Sequence, residues 1–376
     1  MTEAKKILFL TGTRADFGKM KSLIQIMEKQ SRFEVFVFVT GMHLLEEYGY
    51  TLREIERCGF RNIHTFFNHT HETTMDLTLA ETIQGLSAFA KTVNPDMIVI
   101  HGDRVETLAG AIVGSLNNIL VAHIEGGELS GTVDELIRHS VTKLSHIHFV
   151  SNKDAQRRLL QMGEIKSSIF IIGSPDVDIM FSDNLPDIKT AKTYYEIPFS
   201  DYAVAMFHPV TTEADHMRQY AENFVDALLR DTHNYVIVYP NNDYGSRYII
   251  DAYEKLRDEK RFRIFPSLRF EYFLTLLKSS QFVIGNSSAG VREAPYYGLP
   301  IINIGTRQQN RALHADIINV GYGSESILNA LKAIDSHRVI ATDSEFGSGN
   351  SAELFLESLK SDDMWKINHQ KQFTDI

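Results

Sequence analysis

The sequence predicts an α/β protein with two domains, each built around a parallel sheet. Short apolar runs alternate with helical segments along most of the 376 residues, as in proteins built from right-handed βαβ units. The alternation stops at the turn of residues 173–176 and then starts again. A chain of this length is too long for one small core and suits two domains. We therefore expect one domain over residues 1–174, a second over residues 175–351, and a C-terminal helix, over about 352–376, that packs on the first.

Each predicted strand is an apolar run that ends at small or polar residues, where the chain leaves the sheet. In the first domain these runs cover residues 7–10, 33–39, 97–100, 119–124, 147–150 and 169–172. In the second domain they cover residues 202–207, 235–239, 263–265, 282–284 and 300–304. Because the carboxyl ends of parallel strands share one edge of a sheet, two such domains facing each other would place these ends around a central cleft.

Composition excludes several classes of protein. A formal net charge of −10 argues against general nucleic-acid binding. No apolar run approaches the roughly 20 residues that span a bilayer, so we expect no membrane partner. Cys58 is the only cysteine, which rules out an intrachain disulfide and a four-cysteine zinc site. The short apolar run near the N-terminus lacks a cleavage-type site, and we predict a cytoplasmic protein.

The Gly-Asn-Ser-Ser turn that starts at Gly285 predicts an anion site. It follows an apolar strand, and a helix is predicted from about Ala289. A strand, a small polar turn and a helix N-terminus present backbone N–H groups to a phosphate. Ser287 and Ser288 add hydroxyl donors, and Glu293 is placed to accept hydrogen bonds from a ribose. The alternative is an ordinary turn that is capped by a serine.

Three carboxylates at strand or helix ends are candidates for proton transfer. Asp103 follows the strand of residues 97–100, where it is either a helix N-cap or an acid/base group. Glu125 follows the next strand and precedes two glycines, so it begins no obvious helix. Asp134 lies in the first turn of a predicted helix, with Arg138 about one turn later. Such groups need neighbours that shift their pKa values.

Polar and basic residues near other predicted turns suit a charged ligand. His208 ends a strand of the second domain, and Pro209 rules out an ordinary helical continuation. It is either a capped strand end or a diphosphate contact, and we favour the contact. Asn242 follows the next strand. Basic residues beside the turns would make a positive site in an acidic protein: Arg14, Lys19, Arg104, Arg307 and Arg311.

The sequence predicts neither a metal site nor a cofactor. The histidines His64, His69 and His71 lack the spacing of a zinc protease and are expected in a loop or on the surface. The turn of residues 11–18 lacks the G-x-G-x-x-G spacing of a dinucleotide site.

Eight segments carry a resemblance to a known family: GTRADFGK (12–19), VTGMHL (39–44), HGDR (101–104), HIEGGELSGTVDELIRHSVTKLSHIHFV (123–150), GSPD (173–176), FHPVTTE (207–213), GNSSAGVREAPYYGLP (285–300) and GTRQQNR (305–311). Together they strongly resemble the UDP-N-acetylglucosamine 2-epimerases, from about residue 6 to 312 without a large gap. Within that family the chain looks like the hydrolysing branch, which makes N-acetylmannosamine for sialic acid synthesis in bacteria.

The resemblance implies a GT-B-like fold, with two Rossmann-like domains and the nucleotide sugar between them. It implies a reaction in which the C2 proton is removed and UDP is eliminated anti, giving 2-acetamidoglucal. Water then adds, C2 is protonated from the other face, and N-acetylmannosamine is released. UDP-N-acetylglucosamine and UDP are thus the implied ligands, no cofactor is expected, and the family implies a homodimer or homotetramer.

Matching motif positions carries the family's functional residues onto this chain. Asp103, Glu125 and Asp134 fall on the acid/base carboxylates. His208 is expected to assist the departing diphosphate as well as to bind it, and Arg138 matches a motif arginine of open role. The expected substrate positions are Arg14, Lys19, Arg104, Arg138, Asn242, Ser287, Ser288, Glu293, Arg307 and Arg311.

Other functions stay open at this point. The nearest alternative keeps the fold and changes the substrate to a UDP- or GDP-linked diacetamido-trideoxy sugar, as in legionaminic acid synthesis. A non-hydrolysing epimerase would release UDP-N-acetylmannosamine. A periplasmic-type binding protein is disfavoured by the carboxylates at the strand ends, and a GT-B glycosyltransferase would need an acceptor.

Overall fold

The computed structural model describes residues 4–68, 74–130, 133–309, 317–334 and 346–374, and these fold into two compact units. Unit 1 comprises Met1–Glu128, Asp134–Asp183 and Glu345–Ile376. Unit 2 comprises Leu129–Val133 and Asn184–Ser344. The expected boundary at residue 174 thus lies inside unit 1, which continues to Asp183.

Unit 1 contains a seven-stranded parallel sheet. Its strands are β1 (Lys5–Thr11), β2 (Phe33–Val39), β3 (Ile63–Thr65), β4 (Met97–His101), β5 (Leu120–Ile124), β6 (Ile147–Val150) and β7 (Ile169–Ile171). They are arranged in the order β3-β2-β1-β4-β5-β6-β7, which contains the Rossmann order. Successive β1 residues, Ile7, Leu8 and Phe9, are all fully buried, so both faces of the sheet are covered.

Unit 2 repeats this arrangement with six parallel strands. They are β8 (Ala203–Met206), β9 (Tyr235–Val238), β10 (Phe262–Phe265), β11 (Val283–Gly285), β12 (Ile301–Ile304) and β13 (Ile317–Val320). Their order, β10-β9-β8-β11-β12-β13, is again that of a Rossmann sheet. The predicted alternation of strands and helices is confirmed. The sequence missed β3 and β13, because both are short edge strands with polar residues and partial exposure.

Helices connect the strands and are numbered in chain order. They are α1 (Arg14–Glu28), α2 (Leu52–Glu56), α3 (Met75–Val93), α4 (Val105–Leu116), α5 (Val133–Leu144), α6 (Lys153–Gln161), α7 (Pro175–Met180), α8 (Ile188–Tyr194), α9 (Met217–Arg230), α10 (Ser246–Tyr253), α11 (Phe270–Lys278), α12 (Glu293–Tyr296), α13 (Ser324–Ile334) and α14 (Ser351–Lys360). Among the described residues, none of the helices combines the length and the apolar character needed to cross a membrane.

The C-terminal segment belongs to unit 1. Phe355 of α14 packs against Phe9 and Phe149, with ring centroids 6.3 and 4.7 Å apart. Asp178 of α7 accepts hydrogen bonds from the backbone N–H groups of Ser351 and Ala352, which begin α14. The expected helix over 352–376 is too long, since Ser361 is extended and ends it at Lys360.

Candidate active site

The Gly-Asn-Ser-Ser turn of unit 2 begins at Gly285, the last residue of β11. In the sheet β11 lies next to β8, and the strand order reverses between these two strands. Such a switch point is the usual ligand site of an open parallel sheet. Gly285 has a φ of +134°, and a Cβ there would lie 1.8 Å from the Met206 carbonyl oxygen. Only glycine fits this close approach. Ser287 Oγ accepts a hydrogen bond from the Ala289 N–H at 3.3 Å, as a turn cap would.

The helix predicted from about Ala289 is formed only in part. The structure has a 3-10 turn over Ser288–Gly290 and then only one α-helical turn, α12. Pro295 lacks an N–H to extend the helical ladder, and Gly298, with a φ of +65°, ends the turn. Anion binding here therefore depends on local N–H and hydroxyl donors more than on a helix dipole.

His208 is fixed at the same switch point by two asparagines. Its backbone N–H donates to Asn286 Oδ1 at 2.6 Å, and Asn286 Nδ2 donates back to the His208 carbonyl at 2.9 Å. The Asn241 N–H donates to His208 Nδ1 at 3.1 Å. Because Nδ1 accepts this hydrogen bond, the proton of the neutral ring is on Nε2, which can act as a donor.

Of the other predicted residues of unit 2, Arg307 contacts this turn directly. Arg307 Nη1 and Gln308 Nε2 both donate to the Asn286 carbonyl, at 3.2 and 3.1 Å. Glu293 is buried at the start of α12, and Asn242 is half-buried after β9. Arg311 lies outside the described residues.

Glu125 is the centre of the site in unit 1. It follows β5 with a φ of +66°, a conformation that costs a residue with a side chain about 1–3 kcal/mol and is concentrated at functional sites. Its side chain is 5% exposed. Lys19 Nζ donates to its two carboxylate oxygens at 3.1 and 3.2 Å, and Ser174 Oγ donates to Oε1. The absence of a helix start at this position is confirmed.

Asp103 forms an ion pair with Arg138, which is only 2% exposed. Arg138 also donates to the Glu128 carbonyl at 3.1 Å. The N-cap alternative for Asp103 does not hold, because the N-cap residue of α4 is Arg104. Asp134 is in the first turn of α5, as predicted, one turn before Arg138 and therefore on the same side of the helix.

Two of the predicted cations of unit 1, Lys19 and Arg104, lie close to carboxylates. Lys19 is 8% exposed, and its Nζ also lies 3.4 Å from Asp176 Oδ2. Arg104 Nε lies 3.5 Å from Glu106 Oε2. Arg14 begins α1, directly after the N-cap residue of that helix, and is half-buried. Carboxylates thus offset the charges of Lys19 and Arg104.

Sequence reasoning did not single out several residues that contact this group. His101 Nε2 lies 3.1 Å from Glu125 Oε2. His123 Nε2 donates to the Gly102 carbonyl at 2.8 Å, and burial lowers the pKa of His123 to about 3, so the ring is neutral. The sequence indicated Ser174 only as part of the Gly-Ser-Pro-Asp motif. Its position as the last residue of β4 could have suggested His101. The contact of Ser174, the N-cap residue of α7, with Glu125 has no sequence signal.

No group of three or more potential metal ligands occurs in the described part of the chain. His64 was predicted in a loop or on the surface; it lies half-buried in the edge strand β3, where its ring stacks on Phe89 at 4.1 Å. The apolar neighbours hold it in the strand. His69 and His71 fall outside the described residues.

Comparison with known proteins places this chain in a family. A family model described as UDP-N-acetylglucosamine 2-epimerase matches residues 25–360. The chain is 47% identical to the UDP-N-acetylglucosamine 2-epimerase of Neisseria meningitidis serogroup B, over 99% of each chain. It is 32% identical to the polysialic acid biosynthesis protein P7 of Escherichia coli, over 90% of this chain and 88% of that protein. It is 31% identical to the UDP-N,N'-diacetylbacillosamine 2-epimerase (hydrolyzing) of Legionella pneumophila, over 95% and 96%.

Two solved structures share the fold. A UDP-N-acetylglucosamine 2-epimerase of Methanocaldococcus jannaschii, in complex with UDP-N-acetylglucosamine and UDP, matches with a TM-score of 0.80 and 21% identity, over 94% of this chain and 99% of that chain. One from Neisseria meningitidis, bound to UDP-N-acetylglucosamine, matches with a TM-score of 0.77 and 19% identity, over 94% and 99%. The fold is thus the GT-B-like pair of Rossmann domains that the sequence predicts.

Proposed function

The chain belongs to the UDP-N-acetylglucosamine 2-epimerase family, and we propose that it is a hydrolysing member, which converts UDP-N-acetylglucosamine and water to N-acetylmannosamine and UDP. The observation that carries the proposal is that the carboxylates which follow β4 and β5, half-buried Asp103 and buried Glu125, are each paired with a buried cation. Glu125 with Lys19, and Asp103 with Arg138, provide bases whose charges are already compensated.

In the proposed reaction, a carboxylate of unit 1 removes the proton from C2 of the sugar. The C1–O bond breaks, its electron pair leaves with UDP, and a C1–C2 double bond forms. Water then supplies the oxygen at C1, and a carboxylic acid of unit 1 protonates C2 from the opposite face. The candidates for these proton transfers are Asp103, Glu125 and Asp134. No oxidant is needed, because the elimination and the addition of water balance each other.

Unit 2 is proposed to bind the UDP group. The C2 proton is weakly acidic, so its removal must be coupled to the departure of a diphosphate whose growing charge needs fixed donors. His208 Nε2 and the Arg307 guanidinium supply such donors, and Ser287 and Ser288 add hydroxyls. Glu293 is proposed to accept hydrogen bonds from the ribose.

The hydrolysing reaction is favoured over the non-hydrolysing one by the pattern of similarity. The Legionella relative, whose name includes the hydrolysing reaction, is 31% identical over nearly the whole chain. The polysialic acid biosynthesis protein P7 of Escherichia coli, at 32% identity, supports a link to sialic acid synthesis.

Product analysis tests this proposal. The enzyme is incubated with UDP-N-acetylglucosamine alone, and the products are followed by NMR. We expect UDP and free N-acetylmannosamine. Accumulation of UDP-N-acetylmannosamine would instead identify a non-hydrolysing epimerase, and no reaction without an added acceptor would favour a glycosyltransferase.

A second substrate deserves the same test, because the Legionella relative is named for a diacetamido sugar. The kcat/KM values for UDP-N-acetylglucosamine and for UDP-N,N'-diacetylbacillosamine should be measured side by side. We expect the larger value for UDP-N-acetylglucosamine. The reverse ranking would keep the reaction and change the substrate.

A further inference from the structure

The Gly-Ser-Pro-Asp segment at residues 173–176 has no part in the function proposed above, yet it contacts the centre of the unit 1 site. Ser174 donates a hydrogen bond to Glu125 Oε1. Asp176 lies 3.4 Å from Lys19 Nζ, which itself donates to both Glu125 oxygens. We propose that Ser174 and Asp176 are positioning residues for proton transfer at C2. Ser174 acts on Glu125 directly and Asp176 acts through Lys19, a role that rests on the proposed epimerase function.

Glu125 needs such support because its chain conformation does not fix its carboxylate. The residue sits at a φ of +66°, and its backbone N–H donates to the Phe149 carbonyl at 2.9 Å. Beyond the backbone, the glutamate side chain has several rotatable bonds, so only contacts can select one orientation. A misplacement of about 1 Å at a reacting group can cost about 100-fold in rate.

Ser174 is itself fixed by contacts between its own chain segment and the segment of residues 346–347. It is 0% exposed, and its N–H donates to the Phe346 carbonyl at 2.6 Å. Gly173, with a φ of +80°, lies so close to Gly347 that an added Cβ would be 3.0 Å from the Gly347 Cα. The hydroxyl group is thus presented by two chain segments in direct contact, which makes it a rigid donor.

Asp176 fixes the second donor. It is 1% exposed, and with Glu125 it holds the Lys19 ammonium between two carboxylates. A lysine side chain with a single partner would swing with that partner, whereas a lysine held on two sides gives Glu125 a fixed cation. Two residues further along α7, Asp178 instead accepts hydrogen bonds from Ser351 and Ala352, at 2.8 Å each.

This pair of aspartates provides a matched control. We would measure kcat, KM and the kinetic isotope effect with C2-deuterated UDP-N-acetylglucosamine, together with thermal melting. Wild-type turnover is measured first, because its absence would reject the proposed function and the positioning role with it. The variants are Ser174→Ala, Ser174→Thr, Asp176→Asn and, as the control, Asp178→Asn.

We expect Ser174→Ala to lower kcat about tenfold to 100-fold, with KM nearly unchanged and a larger isotope effect, because C2–H cleavage becomes slower. Ser174→Thr, which keeps the hydroxyl, should recover part of the rate. Asp176→Asn should act in the same direction, whereas Asp178→Asn should lower the melting temperature and leave kcat within about twofold, since it touches only a helix cap.

A double variant separates positioning from a general structural effect. If Ser174 acts through Glu125, then Ser174→Ala should cause little further loss in a Glu125→Gln background. Wild-type kcat in a folded Ser174→Ala protein would overturn the proposal. So would a full additional loss in the Glu125→Gln background, or an unchanged isotope effect with a raised KM. Each of these results leaves the proposed function standing if the wild type releases N-acetylmannosamine.

Discussion

Units 1 and 2 place polar residues at the same edge of similar sheets, but the two sets of residues differ in charge. In unit 1, Glu125 and Asp103 are paired with Lys19 and Arg138. In unit 2, the residues around His208 are mainly amides and hydroxyls, with Arg307 as the nearby cation. Paired charges suit groups that exchange protons, and neutral donors with a cation suit a bound anion. One sheet order thus supports two chemistries.

The two regions also differ in how they use unusual backbone conformations. In unit 2 the positive φ falls on Gly285, because the chain must approach the Met206 carbonyl where no side chain fits. At the unit 1 site a positive φ falls on several glycines and also on Glu125, whose side chain is kept in spite of the strain. The strain at Glu125, a buried residue whose carboxylate is paired with Lys19, favours a task for this side chain, whereas the conformation of Gly285 reflects its close approach to the Met206 carbonyl.

The largest effect should come from the unit 1 carboxylates. Glu125→Gln keeps the shape of the side chain and removes its ability to take a proton, so kcat should fall by about 10²–10⁴-fold. UDP affinity, measured by calorimetry, should not change. As a control, Glu135→Gln alters a half-buried glutamate next to Asp134 and should keep kcat within about twofold. A Glu125→Gln enzyme with near-normal kcat would end the assignment of proton transfer to this residue.

A smaller and different effect is expected in unit 2. Replacing Ser287 and Ser288 together by alanine should weaken UDP binding, because a hydrogen bond to a charged group contributes about 1.5–3 kcal/mol. The rate at saturating substrate should fall much less than in Glu125→Gln. Ser280→Ala, a buried serine that donates to the Leu277 carbonyl, is the control. Unchanged UDP affinity in the double variant would mean that the turn has only a structural role.

The positions of several site residues could be predicted from the sequence, for a physical reason. Asp103 and Glu125 could be placed because an apolar run ends just before each, and the carboxyl ends of parallel strands share an edge. The pairing of Asp103 with Arg138 could not be predicted from the sequence, because it depends on where α5 packs. The contact of Ser174 with Glu125 depends on the close approach of Gly173 to Gly347, which are distant in sequence. Local patterns carry no information on such contacts.

The smallest effect concerns stability at low pH. It comes from a second polar cluster of unit 1, formed by Glu164, His148 and Lys371, to which we assign no role in the reaction. Burial would raise the pKa of Glu164, but hydrogen bonds from His148 and Lys371 and the charge of Lys371 outweigh it and lower the pKa from 4.5 to about 2. A carboxylate with a lowered pKa stabilises the fold above its unfolded pKa, and this contribution is lost as the pH falls through its folded pKa.

The unfolding free energy of the wild type should therefore decline as the pH falls from 4.5 to about 2. In Glu164→Gln the decline over this range should be shallower. The variant should be less stable at neutral pH, because Lys371 loses its carboxylate partner. Urea unfolding at several pH values measures both. Equal slopes in the two proteins would show that Glu164 is not a source of the acid sensitivity.

The central claim is that carboxylates of unit 1 remove and return the C2 proton while UDP leaves intact. Running the reaction in D₂O and in H₂¹⁸O tests it most directly. The N-acetylmannosamine formed should carry deuterium at C2, because the acid that protonates it has exchanged with solvent. The UDP should contain no ¹⁸O, because elimination breaks the C1–O bond and leaves that oxygen on the nucleotide. Retention of the original C2 hydrogen, or ¹⁸O in UDP from attack at phosphorus, would contradict the account.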